Sequence, residues 1–199
     1  HERIYQVRGF DLANMSIILG RTGFIIVDPL TSVETARAAL ALAKEHLGDK
    51  PVVAVIYTHS HADHFAGVKG VVSAEDVAAG KTRIIAPEGF LEHSISENII
   101  AGPAMGRRAG FQFGAKLAPG EGGSIGSGIG LAVSPGTRSL IAPTDTIRKT
   151  GEKRVIDGVR IEFQLTPETE APAEMNFFLP DFSALCLAEN ANATMHNVL

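Results

Sequence analysis

Three histidines and one aspartate lie within six consecutive positions of this chain, immediately after an apolar run that ends at Tyr57. These residues are His59, His61, Asp63 and His64. They suit neither a strand nor a core, because buried polar groups need partners and charged imidazoles repel one another. A bound metal ion removes this difficulty, since zinc and similar cations prefer neutral imidazole and carboxylate ligands. This histidine segment (residues 59–64) therefore predicts a metal site at a strand end.

The bulk composition suits one globular domain and excludes several other classes of protein. The chain has 199 residues, of which 45% are hydrophobic and 20% charged, as expected for a well-buried domain rather than a disordered chain. A net charge of −4, without any Lys/Arg block, gives no electrostatic reason to expect nucleic acid or a membrane surface as a partner. Cys186 is the single cysteine, so no internal disulfide can form.

The sequence also indicates a protein without a membrane span. No apolar run approaches the roughly 18 residues that a spanning helix needs, and the first residues, His1 to Ile4, carry no signal-peptide pattern. We expect a soluble protein, and a periplasmic or secreted location stays open because a mature exported chain has lost its signal. The chain opens on strand-like sequence and stops at Leu199 without a closing element, which predicts a fragment of a longer protein.

The hydrophobic pattern predicts strands and one long helix before the histidine segment. Short strands are expected over residues 3–7, 15–19, 24–27 and 52–57. Thr31 or Ser32 caps a helix that alanine and leucine spacing extends to about Leu47, and Gly48 ends it. The last of these strands is apolar without alternation, as in a strand covered on both faces. The histidine segment then begins at a strand end facing loops, where α/β proteins place their chemistry.

Beyond the histidine segment the pattern predicts helices, a loop and further strands. Helical segments are expected between residues 65 and 79 and between 91 and 108, the latter interrupted by Gly102 and Pro103. Residues 114–136 are glycine-rich and nearly uncharged, which predicts a long irregular loop. Strands are expected over residues 82–86, 155–156, 159–165, 176–179 and 184–187, with Asp157-Gly158 as a hairpin turn.

This order of elements predicts the fold class. It indicates an α/β protein with two packed sheets and helices outside, an αββα sandwich. No internal repeat and no linker divides the chain. Residues 1–199 are therefore expected to form one domain, incomplete at its C-terminus.

The histidine segment favours two metal ions over one. His59 and His61 alternate, so on an extended strand end they share a face, whereas Asp63 and His64 follow in a turn. The first pair would hold one ion and the second pair another, a few ångströms away, so that both could activate one water molecule. Each ion needs about four ligands including the water. Further ligands must therefore come from elsewhere in the chain.

Carboxylates are the stronger candidates for the remaining ligands. The acids Glu168, Glu170 and Glu174 crowd one loop after a strand, and spacing alone does not choose among them. Glu189 lies just past an apolar strand, as the histidine segment does. Asp28 also ends a strand, and we interpret it as a carboxylate that supports a ligand rather than as a ligand itself.

The other histidines are weaker candidates. His1 is terminal, while His46 and His93 lie in polar helical stretches where contact with solvent explains them. His196 lies near Glu189 in the sequence, and polar packing explains it as well as a ligand role does.

The segment Thr58–His64 resembles the H-x-H-x-D-H signature of metallo-β-lactamase-fold hydrolases, in which the motif follows a strand. Four further segments resemble the alkylsulfatase branch of that family, the zinc-dependent enzymes that hydrolyse detergent-like sulfate esters such as dodecyl sulfate. These segments are Gly9–Met15, Asp28–Leu30, Thr169–Met175 and Ala188–Ala191. The resemblance covers essentially the whole chain and implies a metallo-β-lactamase-like fold.

The resemblance implies a centre with two Zn²⁺ ions in the intact enzyme. It carries a zinc-ligand role onto His59, His61, Asp63, His64, Glu170 and Glu189. Glu170 is thereby singled out from the three acids of its loop, and Glu189 would reach both ions. The family pattern also includes one further histidine ligand, a helical dimerisation region and a C-terminal lipid-carrier-like domain. All three are expected downstream of this chain, in a homodimeric full-length protein.

The activity that the resemblance implies is hydrolysis of an alkyl sulfate ester to an alcohol and sulfate by a metal-activated water. A sulfate group is recognised mainly through its negative charge, so arginines are expected nearby. Arg107 and Arg108 are the candidates. The apolar loop over residues 125–133 is the candidate to receive the alkyl chain.

Other functions are weighed against this one. A hydrolase of the same fold that acts on a lactone, thioester or phosphodiester stays open, as does an inactive truncated scaffold. A serine hydrolase is disfavoured. Gly122–Gly126 matches the G-x-S-x-G pattern, but that motif needs a strand before it and a helix after it, and neither is expected here.

Overall fold

The computed structural model describes residues 1–127 and 130–192, and within them ten strands form two sheets. The first sheet contains, in chain order, β1 (Ile4–Val7), β2 (Met15–Leu19), β3 (Phe24–Val27), β4 (Val52–Ile56), β5 (Arg83–Pro87) and β6 (Asp145–Ile147). Strands β1 to β3 pair antiparallel, whereas β3 to β6 pair parallel. The second sheet contains β7 (Lys153–Ile156), β8 (Val159–Leu165), β9 (Met175–Leu179) and β10 (Ala184–Cys186). It is antiparallel throughout, in the spatial order β10-β9-β8-β7.

The α-helices of the described residues are α1 (Val33–Leu47), α2 (Ala62–Phe65), α3 (Ala74–Ala78), α4 (Phe90–Ile95) and α5 (Gly102–Gln112). Short 3₁₀ turns occupy Val68–Gly70 and Pro180–Phe182, and a π-helical turn, Ser96–Ile100, joins α4 to α5. The loop between α5 and β6 holds no helix or strand in its described parts, as the glycine-rich sequence predicts.

Two apolar cores lie on opposite faces of the six-stranded sheet. One fills the space between the two sheets and includes Ile25, Ile56 and Phe163 of β8. The other lies between the six-stranded sheet and the helices, and includes Ala39 of α1 and Phe90 of α4. The predicted α/β class with two packed sheets is therefore confirmed, and the helices of the described residues pack on the outer face of the six-stranded sheet.

Local sequence signals explain several element boundaries. Ser32, one of the two predicted caps, accepts a hydrogen bond from the Thr35 backbone N–H at 3.2 Å and begins α1. Gly48 ends that helix with φ at +89°, a conformation that suits glycine. Asp157 and Gly158 both have positive φ and close the predicted hairpin between β7 and β8.

The predicted range 65–79 contains a helix, α3, and a further short helix, α2, begins earlier, at Ala62. The interruption predicted for the next helical segment was wrong in its position. Gly102 and Pro103 do not interrupt a helix but begin α5, because a proline in the first helical turn has no N–H to satisfy. The preceding residues form the π-helical turn instead.

Gly67 sets how closely the end of α2 packs against the turn after β3. Its backbone N–H donates to the Leu30 carbonyl at 2.8 Å. A Cβ at this position would lie 2.1 Å from the Pro29 carbonyl oxygen and 2.6 Å from that of Ser32. Only a glycine allows this approach, which holds His64 of α2 close to the end of β3.

We expect Gly67→Ala to lower the free energy of unfolding by about 1–3 kcal/mol, because the added methyl group overlaps two carbonyl oxygens. Gly110→Ala in α5 is the control, since no atom other than those of its chain neighbours and its own helix backbone lies within 4 Å of the added Cβ. This control should keep or slightly raise the stability, because alanine favours a helix over glycine. Urea denaturation measures both variants. A Gly67→Ala variant as stable as the parent would contradict the close packing.

Candidate metal centre

The centre is built where the carboxyl ends of two parallel strands meet. Val27 of β3 pairs with Ile56 of β4, so Asp28 and Thr58 emerge at the same edge of the sheet. The Thr58 backbone N–H donates to Asp28 Oδ1 at 2.9 Å, and the Thr58 hydroxyl donates to Asp28 Oδ2 at 2.7 Å. Asp28 has a positive φ of 55°, a strained conformation that these two hydrogen bonds help to hold.

His59 is completely buried beside this strand end. Its Nδ1 lies 2.9 Å from the Thr58 hydroxyl oxygen. Because that hydroxyl gives its one proton to Asp28, it accepts from Nδ1–H of His59, and the lone pair of the ring lies on Nε2. Nε2 faces two carboxylates, 3.4 Å from Glu170 Oε2 and 3.9 Å from Glu189 Oε2.

His61 lies at the rim of the centre, with 31% of its side chain exposed. Its Nδ1 is 3.1 Å from Glu170 Oε2, so Glu170 faces both His59 and His61. Burial alone would lower the pKa of His61, but the hydrogen bond and the charge of Glu170 outweigh it and raise that pKa.

His64 approaches from α2 and is fixed by Asp28. Its Nδ1 lies 2.9 Å from Asp28 Oδ2, while its Nε2 lies 3.4 Å from both Asp63 Oδ2 and Glu189 Oε1. Burial alone would lower the pKa of His64, but the charges of Asp63 and Asp28 raise it well above its ordinary value. Burial alone would likewise raise the pKa of Asp63, and the His64 charge holds it below its usual range.

The three acids of the loop between β8 and β9 have different environments. Glu168 is exposed and has a positive φ of 60°. Glu170 faces the imidazoles of His59 and His61. Glu174 is completely buried, and burial raises its pKa. The structure thus brings Glu170 to the histidine segment and keeps Glu168 away from it.

Glu189 follows β10 and stands between two sets of donors. Its Oε2 faces His59 Nε2 at 3.9 Å, and its Oε1 faces His64 Nε2 at 3.4 Å. Burial alone would raise the pKa of Glu189, but hydrogen bonding and the charge of His64 lower it. One carboxylate therefore reaches both halves of the centre, as the family resemblance implies.

Three groups of side chains among the described residues have the composition of metal sites, with donor atoms that lie within 4.8 Å of one another. One contains Asp28, His59 and His64. The other two share Glu189 and are called the donor groups: one contains His59, His61, Glu170 and Glu189, and the other contains Asp63, His64 and Glu189. Nitrogen and oxygen donors of this kind are those that zinc accepts. His64 Nε2 is buried and faces two carboxylates at 3.4 Å, those of Asp63 and Glu189. The side chains therefore fit a divalent metal.

The π-helical turn supports the histidine segment from outside, which the sequence did not reveal. The hydroxyl of Ser60, completely buried, donates to Glu97 Oε2 at 3.0 Å. Asn98 donates to the Ser60 carbonyl at 3.4 Å and to the Ser94 carbonyl at 2.9 Å. π-Helical turns are frequent at functional sites, and the available signal was the break in helix pattern before Gly102.

A cavity of about 830 Å³ opens in front of the centre. His61, Asp63, Glu170 and Glu189 form its floor, and apolar residues of three segments form its walls. These wall residues include Leu12, Met105, Phe113 and Val133. Of the loop expected to receive an alkyl chain, Val133 lines the cavity, and residues 128–129 lie outside the described residues.

Arg138 is the only arginine or lysine among the described residues that line this cavity. Arg107 and Arg108, the arginines that the sequence proposed for sulfate, are exposed on α5 and do not line it. The neighbours of Arg138 are fixed, because the Thr137 N–H donates to Glu34 Oε2 at 2.8 Å and the Ser139 N–H donates to the Ala66 carbonyl at 2.7 Å.

The remaining sequence candidates lie apart from the described centre. His1 and His46 are exposed, and His93 is half-buried outside the donor groups. His196 lies outside the described residues. Ser124 of the G-x-S-x-G pattern lies in the irregular loop, without the flanking strand and helix that a nucleophile elbow requires.

The fold and the donor set are those of a metal-dependent hydrolase. The family model described as "Metallo-beta-lactamase superfamily" matches residues 8–164, so the chain belongs to that superfamily. A metallo-beta-lactamase family protein from Thermus thermophilus, 20% identical with a TM-score of 0.57 over 93% of this chain and 58% of that chain, shares the fold.

Within the superfamily the chain is similar to alkylsulfatases. It is 54% identical over 98% of its length to the linear primary-alkylsulfatase of Pseudomonas sp. and 50% identical over 99% to the alkyl/aryl-sulfatase BDS1 of Saccharomyces cerevisiae. The solved structure of the stereoselective inverting sec-alkylsulfatase Pisa1 from Pseudomonas sp. is 48% identical, with a TM-score of 0.89 over 93% of this chain. The chain spans 29%, 30% and 29% of these three proteins, respectively.

The described helices are too short or too polar to cross a bilayer.

The raised pKa of His64 makes the stability of the metal-free chain depend on pH. The ion pairs of protonated His64 stabilise the folded state fully below the unfolded pKa of about 6.5, and this contribution is lost as pH rises through the higher folded-state pKa. We therefore expect the free energy of unfolding, measured by urea denaturation after chelation, to fall as pH rises above about 6.5.

The variant His64→Gln should reduce this pH dependence, because glutamine does not titrate, and the raised pKa of His61 should leave a smaller slope of the same sign. His46→Gln, on the exposed face of α1, is the control and should keep the parental slope. Equal slopes in the parent and His64→Gln would show that His64 does not carry the effect.

Proposed function

We propose that this chain forms the catalytic unit of an alkylsulfatase, which hydrolyses alkyl sulfate esters of the dodecyl sulfate kind to an alcohol and sulfate with two Zn²⁺ ions. The observation that carries the proposal is the position of Glu189 between two donor groups at the floor of a half-apolar cavity. Similarity to named alkylsulfatases over nearly the whole chain supports the choice of substrate.

The two donor groups support an assignment of the ligands. His59, His61 and Glu170 would hold one ion, Asp63 and His64 the other, and Glu189 would contact both. Bound in this way, the ions would activate a water molecule and would stabilise negative charge on the sulfate.

The chain's own residues orient these ligands and bind the ester. Asp28 holds His64 Nδ1, and Thr58 holds His59 Nδ1, so each ring keeps Nε2 directed into the centre. Arg138 is placed to attract the sulfate group at the cavity wall. The apolar wall formed by Leu12, Phe113 and Val133 is suited to an alkyl chain.

The complete protein is proposed to extend beyond this unit, because the chain spans less than a third of the alkylsulfatases that it matches. The homodimer, the further histidine ligand and a periplasmic or secreted location stay predictions.

We expect chelation of the full-length protein to abolish release of sulfate from dodecyl sulfate, and added Zn²⁺ to restore it. His61→Ala removes one proposed ligand and should lower kcat/KM by roughly 100-fold or more. His93→Ala, a histidine outside the donor groups, is the matched control and should stay near the parental rate.

The same preparation tests the substrate class. Hydrolysis of a thioester, lactone or phosphodiester without any release of sulfate would contradict alkylsulfatase activity while keeping the metal centre. Protein that binds no Zn²⁺ and hydrolyses no ester in the panel would contradict both.

Arg138→Ala should raise KM for dodecyl sulfate by about tenfold with a smaller effect on kcat, because a charge-assisted contact to the sulfate is lost. Arg107→Ala and Arg108→Ala are the controls, since both side chains lie outside the cavity lining and should change KM by less than about twofold. Steady-state kinetics measure all three variants. A raised KM in the controls alone would favour the arginines proposed from the sequence.

A further inference from the structure

Glu174 is a buried acid of the loop between β8 and β9 that belongs to neither donor group of the metal centre. Its exposed fraction is 0%, although a charged side chain normally reaches solvent. Its neighbours Ala171 and Ala173 are also buried and apolar. An apolar side chain would meet the packing need at this position, so the presence of a carboxylate calls for another explanation.

One oxygen of Glu174 accepts several hydrogen bonds from the turn that carries Glu170. Glu174 Oε2 accepts from the backbone N–H groups of Glu170 and Ala171, both at 3.1 Å. The Thr169 hydroxyl lies 3.0 Å from the same oxygen and 2.6 Å from the Thr166 carbonyl, so its one proton is shared between them. Residues 169–171 are therefore tied to one carboxylate by three donors.

The backbone of Glu174 is itself attached to the histidine segment. Glu174 and His59 form a backbone bridge, and the next residue, Met175, donates from its N–H to the Thr58 carbonyl at 2.9 Å. The Thr166 N–H donates to the Glu174 carbonyl at 2.9 Å and closes the base of the loop. A continuous set of hydrogen bonds therefore runs from the histidine strand end through Glu174 to the backbone of Glu170.

We propose that Glu174 is a positioning residue, which fixes the 169–171 turn so that Glu170 faces His59 and His61 before a metal ion arrives. The proposal rests on the metal centre proposed above. Glu170 Oε2 stands 3.1 Å from His61 Nδ1 and 3.4 Å from His59 Nε2, and a turn released from Glu174 would not hold these distances. Groups that orient metal ligands typically change metal affinity by about 10–100-fold when they are removed.

The test is a titration of the metal-free full chain with Co²⁺ alone. The visible absorption of the bound ion measures how much Co²⁺ is bound. Glu174→Ala should weaken binding by about 10–100-fold and alter the absorption spectrum, because the geometry of Glu170 is lost. Glu174→Gln keeps an oxygen that accepts the same backbone N–H groups and should recover most of the affinity. Glu168→Ala removes an exposed acid of the same loop and should match the parent.

Thr169→Val provides a second variant at an exposed position, in case Glu174→Ala does not fold. It removes one of the three donors and should weaken Co²⁺ binding by roughly threefold to tenfold. Thermal unfolding of each metal-free variant separates loss of fold from loss of metal affinity.

The outcomes separate this role from the metal centre itself. A folded Glu174→Ala variant that binds Co²⁺ with the parental affinity and spectrum would overturn the role of Glu174 and leave the centre intact. If Glu174→Ala does not fold, the same result for Thr169→Val would overturn that role. A parent chain that binds no Co²⁺ would overturn the centre and this role together. The role of Glu174 would also be overturned if Glu174→Gln and Glu174→Ala both bound Co²⁺ weakly while Thr169→Val bound it with the parental affinity.

Discussion

The hydrogen bonds between Thr58 and Asp28 are the contacts on which the rest of the centre depends. The Thr58 hydroxyl gives its proton to Asp28 and accepts one from His59 Nδ1, while Asp28 accepts from His64 Nδ1. Two imidazoles are thereby set with Nε2 directed at the acids. The arrangement requires Val27 to pair with Ile56, because a shift of one residue between β3 and β4 would turn these side chains to opposite faces.

The acids of the centre explain why a cation is needed there. Asp28, Asp63, Glu170 and Glu189 surround three imidazoles in a largely buried space, and buried carboxylates without a counter-charge are costly. The raised pKa of His64 and the lowered pKa of Asp63 show that this environment favours positive charge. A proton on His64 is one way to supply that charge. A divalent ion would have to displace this proton, so its apparent affinity should increase with pH.

The strand ends could be predicted from the sequence because their signals are local. The apolar run before the histidine segment and the one before Glu189 each predicted polar residues at the edge of a sheet, and the structure brings both together. Sequence spacing could not show whether Glu170 or Glu174 is the proposed metal ligand, because their positions depend on hydrogen bonds between the loop and residues Thr58 and His59. The family resemblance, not the periodicity, singled out Glu170.

Local sequence patterns could not predict which residues from distant segments line the cavity. Arg107 and Arg108 have the right charge, but α5 turns Met105 and Ala109 toward the cavity instead. Arg138 reaches the cavity wall because contacts to Glu34 and Ala66 fix the path of its loop. Those contacts join positions far apart in sequence, which no single segment encodes.

The loop of Glu170 also shows why an acid, rather than a hydroxyl group, suits position 174. A carboxylate oxygen can accept several hydrogen bonds, and its charge strengthens each of them, whereas a hydroxyl group also needs an acceptor for its own proton. The three donors at Glu174 Oε2 offset part of the cost of burying that charge. The charge of Glu170 also lies close enough to raise the pKa of Glu174 further. Because Glu174 lies this close to Glu170, its carboxylate when ionised adds to the negative field that draws a cation to the centre.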